Sequence, residues 1–171
     1  WRIHGSGHSA LFFGTEAQHR FDDPASTFGV LYAGESPECA FIETFGHAPG
    51  IRVVTMRELS ARALSEIRTD REMRLVDLTG VGLAIIGADN RLCGGGGYRI
   101  AQAWSASLYA HPDAPDGLLY LASHDPSVRS VALYDRARPS FSEHAVGCLG
   151  DPAHVKLLAA LLNRYAFGLI P

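Results

Sequence analysis

Gly29–Gly46, GVLYAGESPECAFIETFG, is the stretch whose reading decides the fold. Val30–Ala33 is a short apolar run closed by Gly29 and Gly34, the pattern of a buried strand. Just beyond it the pattern changes. Ser36 suits a helix N-cap, because its hydroxyl can accept from a free backbone N–H of the first turn. Pro37 suits the first helical position, where a missing N–H costs nothing. The helix is predicted to run to Phe45 and to stop at Gly46.

Working outward, the same reasoning predicts mostly strands. Trp1–His4 is a short strand followed by a Gly/Ser loop. Arg52–Met56, Ala63–Arg68 and Met73–Asp77 read as strands, with Leu59–Ala63 open to a turn of helix. Val81–Ile86 reads as a helical turn. Gly94–Gly97 is a run of glycines with a helix, Tyr98–Ala110, behind it. Gly117–Leu121 and Ser130–Tyr134 are two further strands. In the tail, Asp151 caps and Pro152 opens a helix predicted to reach Phe167, with Leu157, Leu158, Leu161 and Leu162 as its apolar stripe. Strands outnumber helices in this reading, so the expected class is α+β. The 171 residues suffice for a single domain spanning 1–171.

The totals exclude several function classes. A net charge of −3 gives no electrostatic case for binding nucleic acid through its phosphates. The apolar runs are too short to span a bilayer, and the residues from Trp1 onward show no secretory signal. Cys39, Cys93 and Cys148 are odd in number, widely spaced and form no CxxC, which argues against a disulfide framework or a structural zinc site. The expectation is three reduced thiols in a cytoplasmic protein. HExxH, GxSxG and Walker patterns are absent. His4 and His8 are flanked by Gly5 and Gly7, so no helix face presents them to a metal.

A few residues invite a chemical reading, each with a bland alternative. Glu43 lies among Phe41, Ile42 and Phe45, where a carboxylate is costly to bury unless paired or used. The helical wheel, however, puts those three on one face and Glu43 at the edge of the other, which favours a solvated side chain. Tyr32 sits within the core strand. Arg2 is a long cation inside a strand, with the planar fork that suits phosphate, or else an exposed edge residue. Arg20 is a loop cation whose alternative is a surface ion pair. Ser123 ends a strand, either as a ligand contact or as a turn former before His124-Asp125-Pro126. Gly94–Gly97 before a helix is open to an anion-binding reading or to a plain flexible loop.

Three stretches carry a family likeness: RFDDPASTFGVLYAGESPECAFIETFG at 20–46, RLVDLTG at 74–80 and AQAWSASLYAHPDAPDGLLYLAS at 101–123. Together, from WRIHGSG to SVALYDR, the chain resembles the RES domain, the toxin half of Res–Xre toxin–antitoxin modules. The resemblance implies an ADP-ribosyltransferase-like split β-core with flanking helices, NAD as substrate, no metal, and an Xre-type antitoxin as partner. It leaves room for a homo-oligomer. It matches Arg2, Tyr32 and Glu43 to the family's essential Arg, Tyr and Glu, and Ser123 to its Ser. In some members the serine lies nearer the long helix, where this chain offers Tyr98, Arg99 and Gln102. His19-Arg20-Phe21-Asp22 departs from the common Arg-Trp-Asn version.

The implied chemistry suits these residue types. Nicotinamide leaves NAD as a neutral base, so no general acid is needed, unlike ordinary glycoside hydrolysis. A carboxylate, Glu43, stabilises the oxocarbenium-like transition state. Arg2 clamps the pyrophosphate, Tyr32 walls the nicotinamide or ribose, and Ser123, Arg20 and Gln102 are further contacts. The rival readings are transfer of ADP-ribose to a protein and a non-catalytic nucleotide- or partner-binding module.

Overall fold

The strand and helix predicted between Gly29 and Gly46 form as read, in a computed structural model that describes residues 1–48 and 50–171. Strand β2 (Val30–Gly34) leads into helix α1 (Pro37–Phe45). The Ser36 hydroxyl accepts from the Cys39 N–H, and the Gly46 N–H closes the last turn on Ile42. The other elements are β1 (Arg2–Gly5), β3 (Val53–Thr55), α2 (Met56–Ser60), β4 (Arg62–Thr69), β5 (Leu75–Asp77), α3 (Gly80–Ile85), α4 (Arg91–Gly94) and α5 (Arg99–Tyr109). They are followed by β6 (Gly117–Leu121), β7 (Arg129–Tyr134), β8 (Phe141–Cys148), α6 (Val155–Arg164) and β9 (Gly168–Ile170).

Two larger sheets and two main cores organise the chain, which is α+β, with β3 and β9 forming a third, two-stranded sheet. A four-stranded sheet runs β2-β7-β6-β5, with β5 and β6 parallel and the other pairs antiparallel. Its core holds Phe21, Phe28, Leu118, Ala132 and Tyr134 against Leu83, Leu92 and Ala101 from α3, α4 and α5. A three-stranded antiparallel sheet runs β1-β4-β8. Its core joins Ile3 and Leu64 to Phe41, Ile42, Leu59, Leu158 and Leu161 from α1, α2 and α6. Each buried Leu, Ile or Phe among them contributes on the order of 1.5–3 kcal/mol. Thus β2 belongs to the first core and α1 to the second, so this one strand–turn–helix ties the halves together. The sheets meet where Trp1 N donates to Gly34 O at 2.7 Å and Gly34 N donates to Trp1 O at 2.8 Å.

Several expectations need correction. The longest miss is β8, whose residues FSEHAVGC are mostly half-buried or exposed and follow no clean alternation. It is a strand because β4 pairs with it from Thr69–Phe141 to Ala63–Cys148. The strand expected to reach Met56 ends at Thr55, which instead opens α2 through a reciprocal cap with Glu58. Helical elements are more numerous than expected, because short α2 and α4 form between the strands. The tail helix is shorter than read. A 3-10 turn at Pro152–His154 precedes α6, and the chain leaves the helix near Ala166, whose φ is 53°. Gly168–Ile170 then pairs parallel with β3. Leu158 and Leu161 are buried in the second core and Leu157 and Leu162 pack against it, so this stripe is core. Among the described residues no helix is long and apolar enough to cross a membrane.

Candidate active site

A cleft of about 690 Å³ lies between the two sheets. That size falls within the usual range for small-molecule sites, about 300–1,000 Å³. Arg2 reaches it from β1, Tyr32 from β2 and Glu43 from α1, with Arg20, Ser123, Tyr98 and Arg62 also on its walls. A guanidinium, a phenol ring and a carboxylate, far apart in sequence, therefore share one surface.

Arg2 is half-buried rather than the exposed edge cation of the bland alternative. Its Nη1 donates to the carbonyls of Ala10 and Phe12, both at 2.8 Å. Burial pulls the guanidinium below its ordinary pKa, against the opposing pull of Glu143. It stays cationic at any physiological pH. The rest of the fork has no hydrogen-bond partner among the described residues, which leaves it for a ligand.

Tyr32 presents a ring, with its hydroxyl already engaged. That hydroxyl donates to Asp22 Oδ1 at 2.8 Å and accepts from the Phe21 N–H at 2.9 Å. Burial, and then the Asp22 carboxylate, push the phenol far above its ordinary pKa. His19 meets the ring edge-on at 5.4 Å between centroids. Asp22 is itself buried, and its second oxygen accepts from the His19 N–H at 2.8 Å. The segment His19–Asp22, which departs from the family pattern, is therefore what fixes Tyr32.

Glu43 is half-buried at the cleft wall, not on the solvated face that the helical wheel favoured. Its Oε1 accepts from the His124 N–H at 3.2 Å, so the loop after β6 is held against α1. Gly34 permits this arrangement. A Cβ there would lie 2.6 Å from Cys39 Cβ and 2.9 Å from Ala40 N, so the strand end and the helix touch without a side chain between them.

The remaining residues divide. Ser123 is exposed and lines the cleft at the end of β6. Arg20 also lines it, yet it is not the surface ion pair of the bland reading. Its Nη1 donates to Gly95 O at 2.9 Å, and its guanidinium sits 5.0 Å from the Tyr98 ring centre. Gln102 is a correction. It is buried away from the cleft, and its amide donates to Ala17 O and His19 O, both at 3.0 Å. It shapes the loop behind Tyr32 and is not free to bind a ligand from the cleft. In the glycine run, Gly94 borders the cleft while Gly95–Gly97 border a separate hollow beside Trp104.

Sequence reasoning missed His19, His47, His124 and Arg62. None lies in a periodic pattern, and only the fold brings them to the cleft. The His47 and His124 rings stand perpendicular at 5.2 Å. Burial, and then the neighbouring His124, lower the His47 pKa. Tyr120 lies beneath the floor, its pKa raised by burial and then by Glu43. The walls thus combine guanidinium groups from Arg2, Arg20 and Arg62 with aromatic rings and one carboxylate. That set suits a ligand with an anionic part and a flat part. Among the described residues no group of three or more His, Cys, Asp or Glu could hold a metal ion.

Comparison with known proteins follows the same line. A family profile described as the RES domain matches residues 1–156. No curated protein and no solved structure gave a match. The match spans most of the chain, both larger sheets and every cleft residue named above: this protein belongs to the RES domain family.

Proposed function

We propose that the cleft binds NAD and that the protein breaks its nicotinamide–ribose bond, as the toxin of a toxin–antitoxin pair. One observation carries this reading: Arg2, Tyr32 and Glu43, on three different elements, line one cleft. Family membership supports it, and the two sheets joined at Trp1 and Gly34 suit an ADP-ribosyltransferase-like split core.

In this reading the open side of the Arg2 fork meets the pyrophosphate. Arg20, steadied by Gly95 and Tyr98, is a second cation for it. The Tyr32 ring packs against the ribose or nicotinamide, because its hydroxyl is engaged elsewhere. Glu43 faces the ribose carbon. As the C1′–N bond breaks, its electron pair goes to the nicotinamide nitrogen, which leaves uncharged. Positive charge builds on C1′ and its ring oxygen, and the fixed Glu43 carboxylate stabilises it. Water then adds to C1′ and releases one proton, giving ADP-ribose. A phosphate oxygen at C1′ would give the phosphorylated product. In the same reading Ser123, at the edge of the cleft, hydrogen-bonds the nicotinamide amide or a phosphate. NAD is here a substrate, and its partner in the cell is an Xre-type antitoxin that covers the cleft.

The test is product analysis by chromatography. The purified protein is incubated with NAD, with and without phosphate, and again with labelled NAD in cell extract. Free nicotinamide with ADP-ribose or its phosphate supports the reading. Label on protein would replace it with ADP-ribosyl transfer. Unchanged NAD under all conditions would sink it.

A further inference from the structure

One face of the β1-β4-β8 sheet carries polar side chains that, Arg2 apart, do not line the cleft. Arg2 stands opposite Ser65 across β1 and β4, with His4 one pleat away. Glu143 on β8 is the diagonal neighbour of Ser65, since Ser65 pairs with Ala145. Residues opposite or two apart project from one face, so all four share it. Ile3 and Leu64 point the other way, into the second core.

Glu143 is the hub. Its Oε1 accepts from the fully buried Ser65 hydroxyl at 2.8 Å, and His4 Nε2 lies 2.9 Å from the same hydroxyl. Its Oε2 accepts from the Ser9 hydroxyl at 2.8 Å and from the Ala10 N–H at 2.9 Å. Burial raises the Glu143 pKa, but the bonds from Ser9, Ser65 and Ala10 outweigh it and hold the carboxyl below its ordinary range. A serine, a histidine and an acid in contact suggest a nucleophile, yet Ser65 is sealed from solvent and donates to the acid. The network is instead a clamp. Ala10, itself fully buried, gives its N–H to Glu143 and its carbonyl to Arg2 Nη1.

We propose that Glu143 is a positioning residue for Arg2: by gripping the Ser9–Ala10 backbone it fixes the carbonyls that aim the guanidinium into the cleft. The assignment rests on the reading of Arg2 as the NAD phosphate contact. Glu143 acts through reach and hydrogen bonding, more than through its charge. An oriented fork binds a pyrophosphate without first losing its own rotational freedom, and a misplacement of about 1 Å is costly.

The experiment measures KM for NAD and Kd for ADP-ribose by calorimetry on the full chain. E143D keeps the charge but shortens the reach. E143Q keeps the reach, with a carbonyl for Ser9 and Ala10 and an amide for the Ser65 oxygen. E143D is expected to weaken both constants by about tenfold, with kcat within about twofold. E143Q should stay within about threefold, a rescue that depends on reach. In an R2A background E143D should add nothing, because its effect passes through Arg2. Equal losses in E143Q and E143D, or additivity with R2A, would overturn the assignment. So would R2A weakening both constants while E143D is silent, and that result leaves the reading of Arg2 standing. R2A without effect, or no ADP-ribose binding by the unaltered protein, would overturn the reading of Arg2 or of NAD, and this assignment with it.

Discussion

Glu43 and Arg2 line the same cleft, but their supports come from very different distances along the chain. Glu43 stands on α1, whose cap, first turn and stop are Ser36, Pro37 and Gly46. Arg2 is aimed by Ala10 and Phe12, and that loop is gripped by Glu143. Ala10 and Glu143 are 133 residues apart. The first wall can begin to order locally, since capping and propensity act within a few residues. The second exists only after β8 has paired with β4. One cleft therefore joins a locally specified carboxylate to a guanidinium specified by tertiary contacts.

The sharpest way to separate the walls is to remove the charge at Glu43. E43Q preserves volume and helix, and should lower kcat by about 100-fold or more, near 3 kcal/mol of transition-state stabilisation. Its melting temperature should stay close to that of the unaltered protein. Undiminished NAD cleavage would remove Glu43 from the mechanism and leave the comparison without its catalytic side.

Gly34 is where the two walls touch. G34A would force a Cβ to 2.6 Å from Cys39 and 2.9 Å from the Ala40 backbone. The expected cost is about 2–3 kcal/mol in urea unfolding. Wild-type stability would show that strand and helix can part freely there. Y32F tests the Asp22 link next. It leaves the Phe21 N–H and one oxygen of buried Asp22 without the phenol, at about 1–2 kcal/mol of stability. Because the ring remains, kcat/KM of the folded protein should change by less than about fivefold. A loss as large as that of E43Q would mean that the hydroxyl itself takes part.

Ser36→Ala probes the local wall alone. Losing the cap should cost about 1 kcal/mol, read as a lower urea midpoint with little change in KM. A raised KM would show that α1 position and Arg2 are coupled after all. Acid probes the other wall. Glu143 has a folded pKa below its ordinary 4.5, so its stabilisation is complete above the unfolded value and is lost as pH falls through the lowered folded one. Stability of the unaltered protein should therefore fall below about pH 4.5 more steeply than that of E143Q. Parallel curves would remove the carboxylate from the clamp.

These differences track what could be read from the residues. The helix of Gly29–Gly46 was legible to the residue and the strand to within one, because each signal sits beside the element it controls. Strands β6 and β7 were legible for a similar reason, as short apolar runs. Strand β8 was not. Its Glu143 and His144 break the alternation, and its conformation is imposed by β4. The same division runs through the site. Tyr32 and Glu43 stand out against apolar neighbours, whereas His47, His124 and Arg62 carry no local mark. Gln102 drew attention by its place on the long helix, yet the fold turned it towards the 17–19 loop.

By itself, then, the sequence determined the class of fold, the strand–turn–helix at its centre and the residue types set beside the cleft. Tertiary structure alone decided that Arg2 would face Glu43's cleft, that the Tyr32 hydroxyl would be spent on Asp22, and that Glu143 would hold the loop under Arg2. The physical reason is range. Capping and hydrophobic periodicity act over a few residues and can be read in order. Hydrogen bonds between distant strands form only when the whole chain has brought their partners within about 3 Å.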